Sequence, residues 1–522
     1  MKEQVCTVDR FDGGLTREPR GAGNQHRISK HFNLQAYPKK LKPYESLTAD
    51  ASTESDLDTY KITAFETGSD GYLYGLGVES GTSRPKIFYK TTTTGTWSAA
   101  PGTGFDAASG TRGEVLFIRY GAYLFGGHTG GTFKYGPIGG APVFVKSDNG
   151  TAANNGTLLA VQGVVHSKDG YLYVVANIAN QIWRNTSPTQ TGSTAWGSAA
   201  VLTLPGDNTI VSMCEWGDYL AIGCNRTSGG PVIYLWDRND SLNTLSESIG
   251  WGVGSLKFIE NLNGLLVGVS VVGQFSTTLA TIQPRLVVKA WGGGANVETV
   301  AWYFMGGGYR INPNLKFKYE DSVYFFLNPP NIDGTNMAGM WSITKLAQGG
   351  ISVQHNLLIR NDASLGGDYT TNLFKGLYRW DDYFFFSYLN TANSDKYTVW
   401  RTVNGSFGAT SIYETTMNPG MDEGVKHDPK QLMSVRLMTE SIVSGQSATV
   451  SYRVDSNSTD GAGTWTEIGT ISDVGATAAE FTVEAAGDNF DSGREYEFQL
   501  KSTGGAQITA LQYRVRTTSS LL

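Results

Sequence analysis

The sequence predicts an all-β protein: a seven-bladed β-propeller with an extended N-terminal arm and a C-terminal β-sandwich. Three observations predict it. A phrase of turn, strand, turn and second strand recurs seven times. Glycine is abundant, at 65 of 522 residues, while charged residues make up only 17%. No long stretch carries the i, i+3, i+4, i+7 apolar spacing of a half-buried helix.

The arm comes first, over residues 1–60. Gly13-Gly14, Pro19, Gly21, Gly23, Pro38 and Pro43 interrupt any regular element. Phe11, Leu15, Ile28, Phe32, Leu34, Tyr37, Leu41 and Tyr44 are too many large apolar groups for a solvated tail. An extended arm of this kind buries its side chains on a surface. Residues 1–43 hold nine Lys/Arg against four acids, a net of +5, which leaves −11 for the rest of a chain whose total is −6. A basic arm on an acidic body predicts docking to an acidic neighbour, through Arg10, Phe11, Arg17, Arg27, Phe32, Tyr37, Lys39, Lys40 and Tyr44.

The propeller follows, over residues 61–428. Gly71-Tyr72-Leu73-Tyr74 leads to Ile87–Lys90, and Gly121–Phe125 to Thr132–Tyr135. Gly170–Tyr173 leads to Ile182–Arg184, Gly217–Leu220 to Ile233–Trp236, and Gly264–Val267 to Leu286–Lys289. Asp321–Phe325 leads to Met340–Ile343, and Asp381–Phe385 to Thr398–Arg401. The first turns lie 50, 49, 47, 47, 57 and 60 residues apart. An all-β repeat of about 40–60 residues is the mark of a propeller, each copy being one four-stranded blade. Tyr60–Phe65 alternates as a strand before the first copy. One such strand commonly completes the last blade, so that both ends of the domain share a sheet. The turn cluster Asn328–Asn336 is a loop insertion in a late blade.

The sandwich is last, over residues 429–522. Tyr496, Phe498 and Leu500 face one way, and Glu495, Glu497, Gln499 and Lys501 the other. Ser451–Val454 and Gln512–Arg516 repeat the alternation, with turn clusters at Asp455–Gly463 and Gly487–Gly493. About 90 such residues suit a small antiparallel sandwich. The polar stretch Asp422–Pro429 marks the boundary.

Little in the chain carries chemistry. The six histidines (His26, His31, His128, His166, His355, His427) form no metal-ligand spacing. Cys6, Cys214 and Cys224 are too few for a disulfide framework, and the last two flank Tyr219-Leu220 as small hydrophobes. The glycine runs 292–294 and 306–308 lack the Lys-Ser/Thr of a phosphate loop. Glu320-Asp321 and Asp381-Asp382 stand where other copies have Asp-Gly or Gly, which favours turn chemistry over catalysis. Ser458–Trp465 approaches a sialidase Asp-box, but Ala462 replaces its glycine and it occurs once, outside the repeat. Thr96-Trp97 keeps only the end of that motif, and both read as β-turns capped by a tryptophan. Tyr452, Trp465 and Tyr513 offer stacking faces for a glycan. Residues 1–15 lack the apolar core of a secretory signal, and Leu265–Val272 is too short to span a bilayer, so a soluble protein made in a cytoplasm is expected.

The arm also carries a resemblance. Arg10-Phe11-Asp12-Gly13-Gly14-Leu15, then Ile28–Leu34, then Tyr37-Pro38-Lys39-Lys40-Leu41-Lys42-Pro43-Tyr44, resembles the N-terminus of structural proteins of tailed bacteriophages. Those open on an F-x-G-G-L phrase and a basic, proline-containing lead into a propeller. The layout is similar to tail nozzle proteins of short-tailed phages, which form a ring around the DNA exit channel. The resemblance covers the arm by motif and the propeller by architecture only. It implies a non-enzymatic structural subunit of a virion tail, synthesised in the host cytoplasm, with no catalytic residue, cofactor or metal. Its implied partners are its own copies in a hexameric ring, other tail or adaptor proteins, and passing DNA held without sequence specificity. An acidic channel wall would let the phosphates slide. Two other readings stand beside it: a receptor- or glycan-binding tail protein, and a propeller glycosidase with two carboxylates about 5–10 Å apart in a central pocket.

Overall fold

The computed structural model describes residues 3–11, 26–30, 32, 39–50, 60–79, 85–101, 116–128, 131–146, 163–175, 180–241, 244–273, 284–304, 310–328, 339–346, 350–358, 374–390, 396–403, 405–407, 410–421, 428–454, 464–482 and 492–517. The chain is all-β, with small four-stranded antiparallel sheets in a propeller-like arrangement. The one helix among the described residues is a single turn, Gly192–Trp196. Two compact units emerge: Thr48–Ala338 with Arg360–Thr402, and Met1–Leu47 with Gly339–Ile359 and Val403–Leu522.

In the first unit sheets 1 to 5 take their strands in chain order. Sheet 1 is Tyr60–Thr67, Leu73–Glu79, Pro85–Lys90 and Ser98–Ala99. Sheet 2 is Phe117–Tyr120, Tyr123–His128, Gly131–Gly136 and Val143–Lys146. Sheet 3 is Gly163–Val165, Leu172–Val175, Gln181–Asn185 and Leu202–Thr203. Sheet 4 is Asn208–Trp216, Tyr219–Arg226, Val232–Trp236 and Glu247–Gly250. Sheet 5 is Ser255–Leu262, Leu265–Val272, Arg285–Trp291 and Glu298–Phe304. A hairpin, Arg310–Tyr319 with Ser322–Asn328, comes next. The closing sheet is Phe374–Trp380, Tyr383–Asn390, Lys396–Thr402 and, from far upstream, Leu47–Ala49. The last pairing continues at Asp50, whose N–H donates to the Val399 carbonyl at 2.7 Å.

Tyr60–Thr67 therefore does not complete the last sheet. It is the first strand of its own sheet, and Leu47–Ala49 supplies the closing strand.

The repeated phrase forms the second and third strands of each sheet, and the residues just before its turn form the first. The turns need left-handed backbone. Gly121 (φ 62°), Gly217 (φ 57°), Asn263 (φ 49°), Glu320 (φ 50°) and Asp381 (φ 50°) share that conformation, which glycine adopts freely and Asn or Asp tolerate. Asp381 and Asp382 are exposed in such a turn, as expected of turn chemistry.

The apolar faces pack sheet on sheet. Leu76, Ile87, Leu124 and Phe133 join sheets 1 and 2. Tyr120, Phe125, Leu172 and Trp183 join sheets 2 and 3. Tyr173, Ile182, Met213 and Ile222 join sheets 3 and 4, and Ile233, Leu256, Ile259 and Trp291 sheets 4 and 5. Phe258 meets Phe325 of the hairpin at 5.3 Å, and Phe326 stacks on Phe374 of the closing sheet at 4.1 Å. Finally Ile62, Phe88 and Trp97 of sheet 1 share a cluster with Trp380 and Phe385 of the closing sheet. Cys214 and Cys224 are buried in these interfaces, as their sequence positions predicted.

The second unit holds two five-stranded sheets. One orders Glu3–Val8, Ile508–Thr517, Lys430–Thr439 and Ala478–Thr482, with Ser492–Gly493 also on Lys430–Thr439. The other orders His26–Lys30, Ser411–Thr415, Tyr496–Thr503, Ser447–Val454 and Thr466–Ile471. Residues of both sheets form one core with Cys6, Val8, Phe11, Phe32 and Leu41. A further hairpin, Gly339–Lys345 with Ile351–Leu358, belongs to this unit and stacks His355 on Trp341 at 4.8 Å.

The expected divisions 1–60, 61–428 and 429–522 shift accordingly. The segment read as an arm supplies two strands of this unit, and Ser411–Thr415 joins it too. An apolar, turn-broken segment buries its side chains wherever an edge strand is open. Here that edge belongs to its own chain.

Candidate functional site

The first strands of the sheets converge on a cavity of about 480 Å3. Ala64–Glu66, Leu116–Ile118, Gly163–Val165, Met213–Glu215, Glu260, Lys316–Lys318 and Gly376–Tyr378 line it. Each of the five sheets, the hairpin and the closing sheet gives its first strand to this wall.

Three carboxyl groups face the cavity, and each is partnered. Glu260 Oε2 accepts from Lys316 Nζ at 2.7 Å, and its Oε1 accepts the Asn261 N–H at 3.0 Å. Glu215 Oε2 accepts the Ser167 N–H at 2.9 Å, and its Oε1 accepts the Ser167 hydroxyl. Glu66 Oε1 accepts the Thr67 N–H and the Tyr378 hydroxyl, both at 2.9 Å. Burial pushes the Glu66 carboxyl up, and the Tyr378 hydrogen bond opposes that only in part. Lys316 also donates to the Ile259 carbonyl.

A second cluster sits where sheet 1 meets the closing sheet. The Asp50 side chain is 1% exposed. It accepts from Lys90 Nζ at 2.6 and 2.5 Å, from Trp97 Nε1 at 2.7 Å and from Arg401 Nε at 3.0 Å. Lys90 is held below the usual lysine range by burial, which its attraction to Asp50 opposes. One carboxylate thus ties the closing strand to the first sheet and the last. Among the described residues it is the most fully buried ionic group of this unit.

Smaller latches repeat from sheet to sheet. At the ends of the first strands, Tyr120 donates to the Asn185 carbonyl at 3.3 Å and Trp216 Nε1 to the Gly264 carbonyl at 3.2 Å. Trp380 Nε1 donates to the Gly71 carbonyl at 3.1 Å, from the closing sheet back to sheet 1. On the third strands, Lys134, Arg184 and Arg401 share one register, opposite Phe125, Tyr173 and Phe385. Lys134 donates to the carbonyls of Pro188, Thr189 and Gln190, and Arg184 pairs with Asp240 at 2.7 Å. The basic ends of the repeated phrase are clamps between sheets.

The residues singled out for assembly divide. Phe11 and Phe32 are fully buried in their own chain, Phe11 edge-on to Tyr413 at 5.2 Å, and Tyr44 is buried too. They are not available to a neighbour. Lys40 pairs with Glu440 of the same unit at 3.3 Å, while Arg10 and Lys39 are exposed. Arg17 and Tyr37 lie outside the described residues, as does the Arg27 side chain. The glycan-stacking set is corrected as well: Tyr452 and Tyr513 are core residues, and Tyr513 donates to the Pro419 carbonyl at 2.7 Å. Alternation put them on the inner face, where packing claims them. The Trp465 ring is covered by the Arg453 guanidinium at 4.3 Å. Of the Asp-box-like stretch, residues 458–463 lie outside the described residues. Trp97 is fully buried, and its indole N–H is the donor to Asp50 described above. No group of three potential metal ligands occurs among the described residues.

Sequence reasoning missed Asp50, Glu66, Glu215 and Glu260. The last three each stand a few residues before a repeated turn, so aligning the strands that precede the phrase would have found them. Asp50 had no such signal, lying 40 residues from Lys90 and 351 from Arg401.

No family model matches the chain, and no curated protein matches it. It is similar to a chain in the mitotic checkpoint complex, at 11% identity and TM-score 0.40 over 69% of this chain and 92% of that one. It is also similar to YjhT, at 12% identity and TM-score 0.38 over 58% and 99%. The GH74 xyloglucanase from Xanthomonas campestris aligns at 11% identity and TM-score 0.36 over 74% of this chain and 60% of that one. Likeness at this level carries no argument about what the chain does.

Proposed function

We propose that the chain is a seven-bladed propeller joined to a β-sandwich and serves as a non-enzymatic structural subunit of a phage tail, in a nozzle-like ring. The observation that carries the structural role is where the buried charge goes. Asp50 joins the two ends of the sheet series, and Glu215 and Glu260 face the cavity already bound to Ser167 and Lys316. Charges committed to holding sheets together suit a module selected for rigidity. The strands Arg310–Tyr319, Ser322–Asn328, Gly339–Lys345 and Ile351–Leu358 stand in chain order where a sixth blade belongs. The tail position rests on the resemblance of the N-terminal phrase and on the exposed Lys39, which is placed for contacts with other copies or adaptor proteins.

Electron microscopy of the assembled particle tests this. The reading expects a symmetric ring, six copies, at the DNA exit end of the tail. A trimeric fibre position, or absence from the particle, overturns it. Purified protein should also show no sequence-dependent retention on DNA at physiological salt.

One observation favours a propeller glycosidase as the second reading. Glu66 has a carboxyl pushed up by burial, as a general acid needs, in a cavity that also holds Glu215 and Glu260. Saccharide hydrolysis abolished by Glu66→Gln would establish it, and no hydrolysis by the wild type would remove it.

A further inference from the structure

Charge divides the cavity where the first strands meet. The strand Arg310–Tyr319 sends alternate side chains to its two neighbours. Lys316 turns to sheet 5, where its Nζ bonds Glu260 at 2.7 Å. Phe317 turns to the closing sheet, where its ring lies 4.6 Å from the Tyr378 ring. Alternation places Lys318 on the Lys316 side. Glu215 is capped by Ser167 of sheet 3. The lysines thus stand toward sheet 5. Glu66 lies on the other side, bonded to the closing sheet through Tyr378, and makes no ion pair among the described residues.

Glu66 is half-buried, lines the cavity and has one oxygen unspent. Its Oε1 accepts the Thr67 N–H and the Tyr378 hydroxyl, both neutral donors. Its Oε2 accepts no hydrogen bond among the described residues and is not sealed from solvent. The Arg119 N–H and guanidinium, from sheet 2, are the two weakest influences on this carboxyl, and the guanidinium donates to the Gly68 carbonyl at 3.4 Å. Burial outweighs them and pushes the carboxyl up. A cation entering the cavity would supply what the chain withholds from it.

The walls beside Glu66 suit such a cation. Tyr378 and Phe317 are half-buried aromatic side chains, and Ile118 and Val165 are half-buried aliphatic ones. An ammonium over an aromatic face is attracted by the ring quadrupole, more strongly when desolvated. The volume of about 480 Å3 falls within the range of ligand pockets, about 300–1,000 Å3.

We propose that this cavity binds a small alkylammonium ligand, its N–H groups donating to Glu66 Oε2, its charge against the Tyr378 and Phe317 rings and its apolar chain along Ile118 and Val165. The site requires neither the tail position nor hydrolysis at Glu66, so each reading can fail alone. Binding draws the carboxyl to its charged form. A proton therefore leaves Glu66 as the ligand enters, and affinity rises with pH until the carboxyl is fully ionised.

The test titrates the full chain with butylammonium at constant ionic strength, with 1-butanol as the neutral control, by calorimetry in buffers of different ionisation enthalpy. Saturable binding with proton release, tightening as pH rises, is expected. Glu66→Gln keeps an acceptor for Tyr378 and should weaken binding about tenfold or more, with loss of the proton release. Phe317→Leu leaves the carboxyl in place and should weaken binding about threefold, so it decides the matter if Glu66→Gln does not fold. Absence of saturable butylammonium binding, equal binding by wild type and the folded variants, or equally tight binding of 1-butanol overturns the proposal. Saccharide hydrolysis without butylammonium binding overturns it too, and leaves the glycosidase reading standing.

Discussion

Asp50 shows how much one side chain can hold. It satisfies three donors from two sheets in a site closed to water. Removing one member of a buried, hydrogen-bonded charge set leaves the others uncompensated, at a cost of about 3–5 kcal/mol. Asp50→Ala should therefore lower stability by that amount in chemical denaturation, and a loss below about 1 kcal/mol would contradict the clasp. Glu66 predicts that stability depends on pH. Its carboxyl is raised in the folded state above the ordinary glutamate value of 4.5, so folding favours the protonated form. That contribution is complete below the ordinary value and is lost as pH rises through the raised one. Stability followed from pH 4 upward should fall more steeply in wild type than in Glu66→Gln. Parallel curves would show that Glu66 does not titrate in this way.

Elements here depend on close approach as much as on pattern. A Cβ on Gly230 would lie 1.9 Å from the Gly252 carbonyl oxygen, a backbone atom that cannot swing aside. Gly230→Ala is expected to cost about 1–3 kcal/mol, whereas Gly250→Ala, with open space around it, should stay within about 0.5 kcal/mol. Thermal melts of the two variants compare them directly. The latch at the end of the closing sheet's first strand is worth less. Trp380→Phe loses the bond to the Gly71 carbonyl, worth about 0.5–1.5 kcal/mol, together with the packing of the indole's second ring, so denaturant titration should show at least that loss. Strand identity was readable in the sequence at this scale. Alternation and turn residues are local properties, so the seven phrases fell on second and third strands. The first strands were less visible, since their residues mix Glu66, Ile118, Val164, Glu215 and Lys318 according to what faces the cavity.

The whole molecule is woven: the chain enters the C-terminal unit three times. Glu3–Val8 runs antiparallel to Ile508–Thr517 from Glu3 opposite Arg516 to Val8 opposite Leu511. Phe11, Phe32 and Leu41 fill the core beneath. Deleting residues 1–11 should expose that edge and core, and limited proteolysis should then cut within 403–522. Unchanged resistance would restore the segment as a detachable docking arm.

By itself the sequence determined the all-β class, the period of the sheets, the turn chemistry and the small-hydrophobe role of Cys214 and Cys224. Each of these follows from neighbours within a few residues, where hydrophobic alternation and left-handed turns act. Tertiary structure alone decided the fate of the arm, the burial of Tyr452 and Tyr513, the partners of Asp50, Glu215 and Glu260, and the cavity where the first strands meet. Those depend on contacts hundreds of residues apart, Asp50 with Arg401 and Glu3 with Arg516. The solvation energy of each group is fixed there by which surfaces meet, and no local pattern carries that information.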